Sequence, residues 1–230
     1  MSSSCSFVAD LSGLSLIRKS GVQIVVVPRK LPESLFVAEE TLASLGPFEI
    51  HASVPIESGR GAAARSRTGD PRSLFPELDG IAQLDGSPFV GALRRDVLEL
   101  CRRFAHLAGL ESVHVSLEVF DHDACRKWHA DRVGMRLLVT YAGPGTEWAL
   151  ASGVDRSWLG KTAPDLEEAN DRIVFDREAI RRAGVGDVLL CKGDLFEGEQ
   201  GRGLVHRSPP IRLDSRWRLL LRIDERGCGE

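Results

Sequence analysis

The sequence predicts an α+β fold: a double-stranded β-helix (a jelly-roll barrel) over residues 86–226, with one long supporting helix and a small N-terminal α/β extension. Three observations carry that prediction. An apolar stripe at three- and four-residue steps runs from Phe89 to Leu107. From Ser112 onward the hydrophobic period changes to two, in short stretches separated by Gly/Pro turns. The chain has 230 residues, enough for one sizeable core or a core with an extension.

Residues 1–57 form the expected extension. Val22–Val27 is a β-branched run that Pro28 ends, which predicts a short buried or edge strand. Pro32–Leu45 has helix-compatible spacing and Gly46-Pro47 closes it. Phe48–Ile56 is compatible with another strand. Residues 58–85 are expected to be a flexible linker or loop. Ser58–Arg72 holds Gly59, Gly61, Gly69, Pro71 and four arginines (Arg60, Arg65, Arg67, Arg72), with almost nothing to bury. A phosphate-binding strip is the alternative, but these arginines lack the interleaved aromatics of a nucleic-acid site.

The long helix begins with Ser87 as N-cap and Pro88 in the first helical position. Leu93, Val97, Leu100 and Phe104 complete its stripe, and Gly109 ends it. Val113, Val115, Leu117 and Val119 then alternate with polar neighbours in a half-buried strand. Further strands follow at Arg136–Tyr141, Asp187–Cys191 and Arg216–Asp224. In the last, Trp217, Leu219, Leu221 and Ile223 share one face, and Arg216, Arg218 and Arg222 share the other. Either the apolar face packs under the helix and the arginines point into the barrel, or the arginines line a solvated outer face. The charged stretch Asp155–Arg182 lies between strands, as a lid or a plain surface excursion.

Composition excludes several classes. With 30 basic and 33 acidic side chains the net charge is −3, giving no general attraction for nucleic acid or anionic membrane. No apolar run approaches the ~20 residues that span a bilayer, and the first residues lack a secretion signal. Five scattered cysteines (5, 101, 125, 191, 228) do not read as a disulfide framework. The expectation is a cytoplasmic protein without membrane or general nucleic-acid partners, acting on a small molecule or a protein.

His129-Ala130-Asp131 places an imidazole and a carboxylate at i and i+2, on the same side of an extended chain. Such a pair can occupy adjacent corners of a metal's coordination sphere. A third ligand must come from elsewhere, and two histidines with one carboxylate in a facial set characterise non-haem Fe(II) oxygenases. A strand, Arg136–Tyr141, and the turn Gly143-Pro144-Gly145 follow the pair. Much later come Gly186–Cys191, a Gly-rich loop, His206, and finally Arg216 and Arg218.

This order resembles the Fe(II)/2-oxoglutarate dioxygenases of the prolyl-hydroxylase-like branch over about the C-terminal half. The strings Trp128–Val133, Gly143–Trp148 and His206–Pro209 are similar, over most of the chain, to signature segments of the uncharacterised bacterial family named domain of unknown function 1826. That family brings no established activity, and its members often sit beside zinc-handling proteins.

The dioxygenase resemblance implies metal ligation and catalysis at His129, Asp131 and His206. Arg216 or Arg218 would hold the distal carboxylate of 2-oxoglutarate, since a guanidinium fork matches a carboxylate bidentately. Tyr141, the only tyrosine, would donate to the same carboxylate or simply pack in the core. Arg136 would line the pocket or pair with Glu147. The Ser or Thr often found two residues after the basic residue is replaced here by Arg218 or Leu220.

The implied activity is a hydroxylase-type oxygenase using Fe(II) and 2-oxoglutarate on an unknown substrate. The alternative is a non-catalytic zinc-binding barrel linked to metal homeostasis, because His122, Asp123, Cys125 and Cys191 are also suited to Zn²⁺. The two cysteines otherwise serve as small apolar packing. A third reading is a cupin-like hydrolase or isomerase whose metal activates water.

Overall fold

Residues 4–56, 73–211 and 216–225 are described by a computed structural model. Seven strands form the main sheet: β1 (Cys5–Phe7), β2 (Ile24–Val27), β3 (Phe48–Pro55), β4 (Ser112–Phe120), β5 (Met135–Ala142), β8 (Val188–Lys192) and β10 (Arg218–Asp224). Their spatial order is β1-β2-β8-β5-β10-β4-β3. β1 and β2 are parallel and every other neighbouring pair is antiparallel. β6 (Glu147–Ala149), β7 (Ile180–Arg182) and β9 (His206–Arg207) make a small sheet in the order β7-β6-β9. The helices are α1 (Glu39–Leu45), α2 (Phe89–Ala108) and α3 (Leu166–Ile173).

The long helix forms where its stripe predicts. Ser87 Oγ accepts from the Phe89 N–H at 3.2 Å, and Gly109 adopts the left-handed conformation that stops the helix. Leu93, Val97, Leu100 and Phe104 share one core with Leu219, Leu221 and Ile223 of β10. The opposite face of the main sheet packs Ile24, Val26, Leu138 and Leu189 against Trp148 and Leu204 of the small-sheet side. The polar face of β10 is therefore turned inward between the two sheets.

Several expectations are corrected in extent. Pro32–Leu45 is broken rather than continuous: a 3-10 turn at Glu33–Leu35 ends where Phe36 and Ala38 turn extended, and the α-helix forms only from Glu39. The expected extension supplies β1 and β2 at one side of the main sheet and β3 at its other edge, sharing the core between that sheet and α2. Of the expected linker, residues 58–72 lie outside the described residues. Residues 73–85 are packed rather than loose: Leu74, Phe75, Leu78 and Leu84 are buried. The Arg94 guanidinium of α2 holds that segment by donating to the Leu74 and Phe75 carbonyls and to Asp79. The stretch Asp155–Arg182 is not a plain excursion, since it supplies α3 and β7. Among the described residues, no helix is long and apolar enough to cross a membrane.

Candidate metal centre

His129 precedes β5 and His206 begins β9, yet the two pair as neighbouring extended residues. Each backbone N–H donates to the other's carbonyl, at 3.1 and 2.9 Å. Their rings consequently leave the backbone together, with centroids 4.5 Å apart. Both Nδ1 atoms are engaged locally: His129 with the Lys127 carbonyl at 2.8 Å and His206 with the Leu204 carbonyl at 3.2 Å. Fixing Nδ1 as the protonated nitrogen leaves Nε2 as the lone-pair donor, the usual preparation of a metal-binding imidazole.

Both Nε2 atoms face Asp131. His206 Nε2 is 3.2 Å from Asp131 Oδ2, and His129 Nε2 is 3.6 Å from Oδ1. One ligand atom from each of the three residues lies within 4.8 Å of the others. Among the described residues no other group of three or more His, Cys, Asp or Glu meets that condition. Burial lowers the His129 pKa, and the neighbouring His206 adds to this, favouring the neutral ring. For Asp131, burial alone would raise the carboxyl pKa, but His206, Arg136 and His129 together hold it well below the usual range. The set thus offers two imidazoles and one carboxylate, a donor set suited to a divalent transition metal.

The supporting shell comes from several elements. Gly193, after β8, lies so close to the Asp131 loop that a Cβ there would sit 2.1 Å from the Val133 carbonyl and 2.8 Å from that of Asp131. The next residue, Asp194, donates its N–H to the Asp131 carbonyl at 2.7 Å. From α3, Asn170 Oδ1 accepts from the Trp128 N–H at 3.0 Å, fixing the residue before His129. Arg136 does not pair with Glu147, whose carboxylate is taken by Arg182 and Arg207. Period-two alternation instead turns Arg136 toward Asp131 Oδ2, at 2.6 Å.

A narrow cavity of about 70 Å³ runs from His129 and His206 to Arg218. Arg218 is fully buried, and its guanidinium donates to Thr146 at 2.6 Å, Thr140 at 3.1 Å and Ser208 at 3.2 Å. All three partners are neutral hydroxyls, and its Nε has no partner. Burial lowers its pKa to about 10, so it stays charged at pH 7. Thr140, Thr146 and Ser208 supply, from other parts of the chain, the hydroxyls that the sequence lacks two residues beyond Arg218.

Arg216 and Tyr141 are not brought to this site. Arg216 precedes β10 and grips the Glu39 carboxylate with two N–H groups. Tyr141 follows the inward-facing Thr140, so strand alternation sends its ring to the α2 side. A bulge between β5 and β10 leaves it unpaired in the ladder, and its hydroxyl donates to Asp96 at 2.5 Å. Both residues border a larger cavity of about 1270 Å³ that is lined by none of His129, Asp131 and His206. The Zn-type cluster read in the sequence does not assemble either. Cys191 is buried with its thiol pKa pushed far up by burial, Asp123 caps the Ile211 N–H, and Cys125 is exposed at the cavity wall.

Residues 9–224 match the family described as protein of unknown function (DUF1826), and the chain belongs to that family. No curated relative matches. Similar solved structures include dioxygenase for auxin oxidation 1 from Arabidopsis thaliana, solved with 2-oxoglutarate: 11% identity, 97% of this chain and 92% of that one, TM-score 0.46. A prolyl-4-hydroxylase from Pseudomonas putida is similar at 13% identity, over 93% of this chain and 96% of that one, with a TM-score of 0.41. Neither score is high enough for a shared fold to follow, so function has to be read from the site itself.

Proposed function

We propose that the protein is an Fe(II)/2-oxoglutarate-dependent oxygenase of the hydroxylase type, with its two sheets forming a double-stranded β-helix. The observation that carries this reading is Arg218. A wholly buried guanidinium whose hydrogen bonds all go to neutral hydroxyls, with Glu118 and Glu147 acting on it only at longer range, is costly to bury, and an anionic ligand would complete it. It shares a cavity with His129 and His206, so the anion it binds would lie next to the metal.

His129, Asp131 and His206 would hold Fe(II), their Nδ1 contacts fixing the rings and leaving other coordination positions open. When bound, Fe(II) with 2-oxoglutarate and O₂ supplies oxidative decarboxylation to succinate and CO₂, coupled to hydroxylation of a substrate. Arg218 would orient the distal carboxylate of 2-oxoglutarate, with Thr146 and Ser208 completing the cradle. The buried Trp128 and Leu138 exclude water from the sheet interface. The substrate is a small molecule or a protein. The setting we propose is the cytoplasm, where the thiols of Cys101, Cys125 and Cys191 would stay reduced.

The test is anaerobic addition of Fe(II) followed by 2-oxoglutarate. The expected result is a visible charge-transfer band in the native protein that is missing in His129→Ala. Tight Zn²⁺ binding with no such band would favour the non-catalytic zinc barrel instead.

A further inference from the structure

The Asp131 carboxylate is already neutralised from within. Arg136 Nη1 lies 2.6 Å from Asp131 Oδ2, while its Nε and Nη2 grip Asp224 at 2.6 and 2.8 Å. Asp224 is 1% exposed and is the direct cross-strand partner of Arg136, so the guanidinium is anchored and cannot swing aside when a cation arrives. Arg222 Nε stands 3.5 Å from the same Asp224 carboxylate. Arg222 is shared with Glu49, but Asp131 itself faces the fixed guanidinium of Arg136, and the remaining metal-binding groups are imidazoles. A bare dication entering the triad meets almost no net negative charge.

We infer that Arg136 is a positioning residue that occupies one oxygen of Asp131 and keeps the affinity for a bare divalent metal low. Tight loading then requires a dianionic co-ligand to arrive with the metal. The inference rests on the metal-site part of the reading above. It follows from charge: a fixed cation beside a ligating carboxylate opposes a second cation, and a dianion held by Arg218 relieves that opposition.

Co²⁺ binding by calorimetry and by its visible ligand-field spectrum tests this without turnover. Arg136→Gln should bind Co²⁺ roughly tenfold more tightly than the native protein in the absence of 2-oxoglutarate. The gain in Co²⁺ affinity on adding 2-oxoglutarate should shrink by the same factor. Arg136→Lys, which keeps the charge, should stay within about twofold of native. Because Arg136→Gln strands the buried Asp224, the double variant Arg136→Gln/Asp224→Asn is measured beside it; it leaves the net charge unchanged but removes the cation in contact with Asp131, so a smaller gain in the same direction is expected. Equal or weaker Co²⁺ binding in a folded charge-removed variant overturns the inference, since a purely structural arginine would give that result. A native protein that binds Co²⁺ but ignores 2-oxoglutarate would sink the oxygenase reading while leaving the Co²⁺ comparison legible.

Discussion

The two faces of the main sheet arise from the same alternating strands and treat buried charge differently. On the face toward α2 the polar groups are matched. Arg29 donates twice to Asp96, and the Tyr141 hydroxyl completes that carboxylate. Arg94, on α2 itself, reaches two backbone carbonyls and Asp79. On the face toward the small sheet, among the described residues, Arg218 hydrogen-bonds hydroxyls alone and keeps an Nε without a hydrogen bond. The α2 face pairs these charges with carboxylates, whereas the other face pairs Arg136 with Asp131 and Asp224 yet leaves Arg218 with no carboxylate in hydrogen-bond contact. The contrast supports the proposed site over the larger cavity, which lies beside the matched groups Arg29 and Tyr141.

That contrast can be broken by mutation. On the helix face Phe104 is fully buried, and Phe104→Ala should cost about 3–5 kcal/mol in urea unfolding. Metal affinity per folded molecule should be unchanged. A selective loss of metal binding would mean that the two faces are coupled. Tyr141→Phe deletes one hydrogen bond within the Asp96 network and should cost about 1 kcal/mol. It should leave 2-oxoglutarate affinity as it is, whereas a marked weakening would return Tyr141 to the site. The smallest effect belongs to Arg216→Gln. Its ion pair with Glu39 is largely exposed, so the cost should be about 0.5 kcal/mol or less, with no change in 2-oxoglutarate binding.

Long-period features were legible in the sequence. The stripe of α2, the alternation of β4 and the two-faced β10 each repeat over enough residues to define a direction. The His129–Asp131 pair was legible because two residues on one extended stretch need no tertiary knowledge to share a side. Other parts depend on contacts between distant segments. β6, β7 and β9 are two or three residues long, too short for any period. Arg136 meeting Asp131 and Asp224 depends on the β5–β10 register, which no local pattern encodes. For Tyr141 a signal was present: counting by twos along β5 puts Arg136, Leu138 and Thr140 on one face and Tyr141 on the other. Arg216 and Arg218 have the same parity, so alternation did not separate them. Their difference arises because β10 begins only at Arg218, leaving Arg216 beside Glu39 of α1.

The most direct measurement is 2-oxoglutarate binding to the Co²⁺-loaded protein, native against Arg218→Met, with a thermal melt of each. Removing a buried cation that has no carboxylate in hydrogen-bond contact, only the longer-range attraction of Glu118 and Glu147, should leave the melting temperature level or raised. Metal should be retained and 2-oxoglutarate affinity should fall at least about tenfold. Unaltered 2-oxoglutarate affinity, or a collapse in stability with metal lost as well, would show that Arg218 is a structural arginine and not the anchor of an anionic ligand.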